Sequence, residues 1–86
     1  MNMIFTVYIL YSKSVNAYYV GYTNDISRRI GEHNRKKGKY TDRGIPWELA
    51  YQEEFQSKAD AQNREKEIKA RKSRAYIEEL VGSWER

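Results

Sequence analysis

The chain has 86 residues, a formal net charge of +4 and no cysteine. That length supports one domain with a small core, and the lack of cysteine excludes a disulfide framework and a cysteine-ligated zinc site. The apolar start from Met1 to Tyr11 is short, holds Thr6 and Tyr8, and lacks a basic leader and a cleavage site. It therefore reads as neither a signal peptide nor a membrane span, and the expected location is cytoplasmic.

Ile4 to Tyr11 (IFTVYILY) is rich in β-branched and aromatic residues and predicts a strand. Phe5, Val7, Ile9 and Tyr11 alternate with Ile4, Thr6, Tyr8 and Leu10, so both faces are largely apolar and both should be covered. Ser12 to Ala17 is polar and turn-like, and Tyr18 to Thr23 (YYVGYT) predicts the second strand of a hairpin. A symmetric loop sets Tyr11 opposite Tyr18, Leu10 opposite Tyr19 and Tyr8 opposite Gly21. Tyr8 and Tyr19 then become diagonal neighbours on one face, with room beside the Tyr8 ring at the glycine.

Asn24 is the expected N-cap of a helix from about Asp25 to Asn34. At helical spacing His33 falls on the face of Ile26 and Ile30, Arg29 lies at its edge, and Arg28 points to water. His33 is the only histidine. An arginine and a histidine one turn apart beside a core stripe need something to contact. A structural ion pair and a backbone carbonyl would serve, and so would a functional site.

Arg35 to Gly44 (RKKGKYTDRG) predicts a basic loop. From Asp25 to Arg43 seven basic residues stand against three acids, whereas from Gly44 onward eight stand against nine. The excess charge is therefore local and favours an anionic partner there, a solvated loop being the plain alternative. Arg35, Lys36, Lys37, Lys39, Tyr40, Thr41 and Arg43 are the candidate nucleic-acid contacts, made to phosphate. Pro46 leads into Trp47 to Phe55, read as a half-buried third strand with Trp47, Leu49 and Tyr51 on one face.

Ser57 and Asp60 have capping-box spacing and start a helix running to about Ala70. Glu65 shares a face with Ile68, which makes it a candidate inward carboxylate. Its spacing to Lys69 also fits a solvated charge pair. Ser73 caps a closing amphipathic helix from Arg74 to about Val81, carrying Ile77, Leu80, Val81 and then Trp84. The eight tyrosines and two tryptophans are expected mostly in the core. The expected fold is thus α+β: a three-stranded antiparallel-type sheet with about three helices, in the order β-β-α-β-α-α.

In this order the motifs resemble the GIY-YIG nuclease superfamily, and most closely its short stand-alone bacterial members. Thr6-Val7-Tyr8 stands for the first tripeptide and Tyr19-Val20-Gly21 for the second. Arg29 and His33 match the helix pair, Glu65 in REKEIK matches the later carboxylate, and Lys39-Tyr40-Thr41 matches a tripeptide common in the short members. The motif-bearing core covers about residues 4 to 81 of a single domain, 1 to 86. Two departures are Thr6 in place of glycine and the lack of a match for an asparagine after the glutamate.

The resemblance implies a metal-dependent endonuclease acting on DNA rather than RNA. One divalent ion, Mg²⁺ or Mn²⁺, would sit on Glu65, Arg29 would bind the phosphate, Tyr8 with His33 would activate water, and Tyr19 would position water or metal ligands. It also implies no membrane partner and a monomer or weak dimer. A non-catalytic nucleic-acid-binding module and a protein-interaction domain on the same fold are the competing readings.

Overall fold

The computed structural model describes residues 3–84, the Thr41 side chain excepted. Three strands, β1 (Phe5–Ser12), β2 (Ala17–Thr23) and β3 (Trp47–Phe55), form one antiparallel sheet in the order β2-β1-β3. Helices α1 (Ile26–His33), α2 (Lys58–Ala70) and α3 (Arg74–Trp84) complete the expected α+β order. The hairpin register is the predicted one: Tyr11 opposes Tyr18, Leu10 opposes Tyr19 and Tyr8 opposes Gly21.

β1 is central and buried on both faces, as its doubly apolar pattern requires. On one face Val7, Ile9, Val20 and Tyr51 pack against Ala61 and Ile68 of α2, with Ile77, Leu80 and Trp84 of α3 at the margin. Ala61 lets the α2 backbone approach the sheet closely. On the other face Tyr8, Leu10 and Trp47 pack with Ile26 and Ile30 of α1.

Four local features depart from the sequence expectation. Asp25, not Asn24, caps α1: its side chain accepts from the Arg28 amide, while the Asp25 amide is taken by the Thr23 hydroxyl. The basic segment is not a plain loop but ends in a 3₁₀ helix at Tyr40–Gly44. The expected uniform face of β3 is interrupted, because the pairing with β1 shifts between Ile9–Tyr51 and Leu10–Leu49. That bulge at Ala50 inserts one residue, so Tyr51 lies on the α2 side while Trp47 and Leu49 lie on the Tyr8 side. Finally, α3 runs on to Trp84, whose ring meets Tyr51 edge-on.

Polar clamps fix the connections. Asn34, one residue past α1, donates to the Trp47 carbonyl at 3.0 Å and accepts from the Trp47 amide at 2.5 Å. The segment between them is therefore tied off at both ends. Inside it, one Asp42 carboxylate oxygen accepts from the amides of Lys37, Gly38 and Lys39. Desolvation pushes the Asp42 pKa up, but the three donors together outweigh it and hold the group below its ordinary value. A third clamp joins β3, α2 and α3. Arg64 bonds Glu53, Glu67 and the Tyr76 hydroxyl, and Tyr51 donates to the same Glu53. This network fixes the rotation of α2 one residue before Glu65.

Asn34→Ala removes both bonds to Trp47 and leaves partly buried backbone groups without these partners. The expected cost is about 2 kcal/mol, a fall of roughly 10 °C in Tm for a domain of this size. Thermal denaturation followed by circular dichroism checks this, and an unchanged Tm would show that the clamp contributes nothing.

Candidate functional site

Tyr8 sits at the centre of β1 and is 2% exposed. Its ring leans across β2 at Gly21, where an added Cβ would come within 2.6 Å of the Tyr8 hydroxyl. Only glycine at the opposing position lets the tyrosine lie flat there. The hydroxyl ends 3.4 Å from His33 Nε2. Tyr19, two residues before Gly21, stacks at 6.4 Å from the Tyr8 ring with an interplanar angle of 18°. It meets the His33 imidazole edge-on at 4.5 Å. Trp47 closes the aromatic group, with its ring 6.4 Å from both Tyr19 and His33.

α1 presents His33 and Arg29 from successive turns. A cavity of about 260 Å³ opens over them, lined by Tyr19, Arg29, Glu32, His33, Lys37 and Lys39. Three of its walls are cationic side chains and one is a carboxylate. Glu32 bonds Arg29 at 3.2 Å and Arg28 at 3.0 Å. The Arg29 Nε is buried and lacks a hydrogen-bond partner among the described residues. A larger hollow of about 540 Å³, lined by Tyr11, Tyr18, Leu49 and Trp84 among others, contains none of these groups.

The electrostatics separate the two titratable members. Burial pushes the Tyr8 pKa well above its ordinary value. Tyr19 adds to that rise, Arg29 opposes it, and the Glu65 and Glu32 carboxylates add to it again. Tyr8 is therefore a protonated donor at neutral pH. Burial also lowers the His33 pKa, and Arg29 and Lys37 lower it further against Glu32. His33 is therefore neutral near pH 7 and able to accept from Tyr8.

The Glu65 carboxylate, on α2, is among the charges that raise the Tyr8 pKa. Glu65 also pairs with Lys69 at 2.7 Å, its side chain 17% exposed against 52% for the lysine. Of the two sequence alternatives for Glu65, the charge pair is formed, and its carboxylate is the more buried partner of that pair. No group of three or more His, Asp or Glu suited to a metal occurs among the described residues. A single half-buried carboxylate fits a hard ion that keeps most of its own waters, such as Mg²⁺, and does not fit a dehydrated multi-ligand site.

The structure thus gathers Tyr8, Tyr19, Arg29 and His33, while Glu65 lies on α2 in an ion pair with Lys69. Of the candidate phosphate contacts, Lys37 and Lys39 line the same cavity, while Tyr40 and Arg43 line an adjoining one. Arg35 and Lys36 are exposed and line neither. The Thr41 side chain lies outside the described residues. Sequence reasoning missed Glu32, whose spacing to Arg28 and Arg29 was the available signal. It also missed Asn34 and Trp47, whose roles come from long-range contact.

A hairpin, a helix bearing arginine and histidine, a third strand and a helix bearing glutamate define a nuclease-like domain. The family model for the GIY-YIG catalytic domain matches residues 4–77, and the chain belongs to the GIY-YIG family. It is similar to a UPF0213 protein of Staphylococcus haemolyticus, with 50% identity over 64 residues, covering 73% of this chain and 77% of that one. It is also similar to a UPF0213 protein of Natronomonas pharaonis, with 46% identity and 87% of each chain covered. The solution NMR structure of a UPF0213 protein from Bacillus halodurans superposes with a TM-score of 0.59 at 35% identity, covering 93% of this chain and 84% of that one. No described helix is long and apolar enough to cross a membrane.

Because His33 is the only histidine, its titration can be followed by NMR without assignment ambiguity. Its midpoint is expected below about 6.5, and Lys37→Ala, which removes a nearby positive charge, should raise it. A folded pKa below the unfolded one means that neutral His33 contributes stability that is complete above about pH 6.5. That stability is lost as pH falls through the folded value. A midpoint at or above the ordinary value would contradict the burial argument.

Proposed function

We propose that this protein is a metal-dependent endonuclease that hydrolyses phosphodiester bonds in DNA. The observation that carries the proposal is the convergence of Tyr19, Arg29 and His33 on one cationic cavity, with Tyr8 buried behind it against His33 and the Glu65 charge acting on Tyr8. The reading is further supported by membership of the GIY-YIG family. RNA offers the same phosphate chemistry, and DNA is the preferred substrate because the resemblance is to DNA-cleaving nucleases.

In this proposal Arg29 forks its terminal guanidinium nitrogens onto the non-bridging oxygens of the scissile phosphate. Lys37 and Lys39 hold the strand through its backbone, with affinity but no sequence information. A standing tyrosinate at Tyr8 is disfavoured by burial, so the base works as a relay. Tyr8 takes a proton from the attacking water while giving its own to neutral His33. The water oxygen bonds to phosphorus as the bond to the leaving oxygen breaks, and His33 ends as imidazolium. Tyr19 packs on both rings and holds them in line. A divalent cation held by Glu65 would supply positive charge against the developing charge on the leaving oxygen.

Arg29 and Glu65 are each neutralised by a partner in their own chain, Glu32 and Lys69. That pairing, with the lack of a match for the asparagine after the glutamate, favours a non-catalytic nucleic-acid-binding module. Incubation with plasmid, single-stranded and branched DNA, in Mg²⁺, Mn²⁺ or chelator, distinguishes the two. Cleavage that needs metal and falls roughly a hundred-fold or more in Arg29→Ala and Glu65→Gln is the expected result. The rate should also fall on the acid side of the His33 midpoint, where the relay acceptor is already protonated. Salt-sensitive binding without cleavage would favour the module, and cleavage untouched by both substitutions would sink the residue assignment.

A further inference from the structure

The polar cavity has an apolar neighbour. A second hollow of about 240 Å³ is lined by Tyr19, Tyr40, Arg43, Gly44 and Trp47, with Val15 and Ala17 at one side. Tyr19 is the wall common to both. Trp47, 6% exposed, forms the floor. Gly44 permits this, because a Cβ there would overlap the Trp47 ring. Tyr40 stands at the mouth and is 79% exposed, the most exposed of the large hydrophobics among the described residues. The Arg43 guanidinium lies 5.2 Å from the centre of its ring.

A ligand that fills both hollows must be anionic at one end and flat and apolar at the other, with the two ends one tyrosine ring apart. A nucleotide has that form. We propose that the hollow between Tyr40 and Trp47 takes one unpaired nucleobase of the strand whose phosphate lies against Arg29. This rests on the nucleic-acid reading of the polar cavity and adds the state of the substrate to it. An aromatic side chain left in water at the rim of such a hollow suits base stacking, which tolerates any sequence because every base has a π-face. Arg43 can stack with the base or meet the next phosphate. A base inside a duplex reaches the hollow only after unstacking and unpairing. The favoured substrates are therefore single-stranded, frayed or looped positions.

The test uses the Glu65→Gln protein, to prevent cleavage, and fluorescence anisotropy at low salt. The ligands are a labelled single strand of about ten nucleotides and its fully abasic counterpart. Tyr40→Ala should weaken binding of the intact strand about ten-fold and leave the abasic strand within about two-fold, while Tyr40→Phe retains binding of both. Tyr40 is too exposed for its truncation to disturb the core, and an unchanged melting curve confirms that. Equal weakening on both strands would make Tyr40 a backbone contact and overturn the proposal, as would no change on either. Equal affinity of the Tyr40-containing protein for the two strands would overturn the base pocket alone. Absence of binding to both strands would overturn the nucleic-acid reading along with it.

Discussion

The burial of Tyr8 across Gly21 is the constraint on which the rest depends. A tyrosine in the middle strand of a three-stranded sheet is normally core, and its ring here does pack with Leu10 and Trp47. The missing side chain at residue 21 lets the ring lie over the neighbouring strand, so its hydroxyl reaches the end of α1 and not a wall of apolar groups. Tyr19 then has a ring to stack on, His33 has a hydroxyl to face, and α1 is held by its apolar stripe in the one rotation that presents Arg29 beside both. A Cβ at residue 21 would force the Tyr8 ring to move, and the hydrogen bond to His33 moves with it.

Electrostatics turn that packing into chemistry. Burial makes Tyr8 hold its proton and His33 shed its own, so the two meet as donor and acceptor in the neutral range. Burial is the largest cause at both residues. The charges around them act in opposite senses: Arg29 works against ionisation of His33 and in favour of ionisation of Tyr8, while Glu65 raises the cost of a tyrosinate. The proposed proton relay and the proposed cation on Glu65 would each offset that cost. The basic segment is built to the same end. Asp42 gathers three of its amides and Asn34 ties its base to β3, so Lys37 and Lys39 are presented from a structured turn.

Much of this was legible in the sequence because it depends on local pattern. Alternation of apolar residues in IFTVYILY and YYVGYT, with a symmetric loop between them, was enough to pair Tyr8 with Gly21. Helical spacing was enough to put His33 with Ile26 and Ile30. Other features depend on one extra residue or one distant partner. The bulge at Ala50 turns Tyr51 to the opposite face, and nothing in WELAYQEEF marks it. Asp42 looked like one acid among many bases, although its amide partners lie only three to five residues away. Tyr40 reads as a phosphate contact in the sequence, and only the structure shows that it shares a hollow with Trp47, on which the base-stacking proposal rests.

The central claim is that one phosphate site is completed by a cation on Glu65 beside Tyr8. Titration of the ¹⁵N-labelled protein with substoichiometric Mn²⁺ tests it without reference to activity. Paramagnetic broadening should begin at the amides around Glu65, Tyr8 and Tyr19, be relieved by excess Mg²⁺, and disappear in Glu65→Gln. Broadening centred on the acidic face of β3 or α3, or unchanged by Glu65→Gln, would contradict the account.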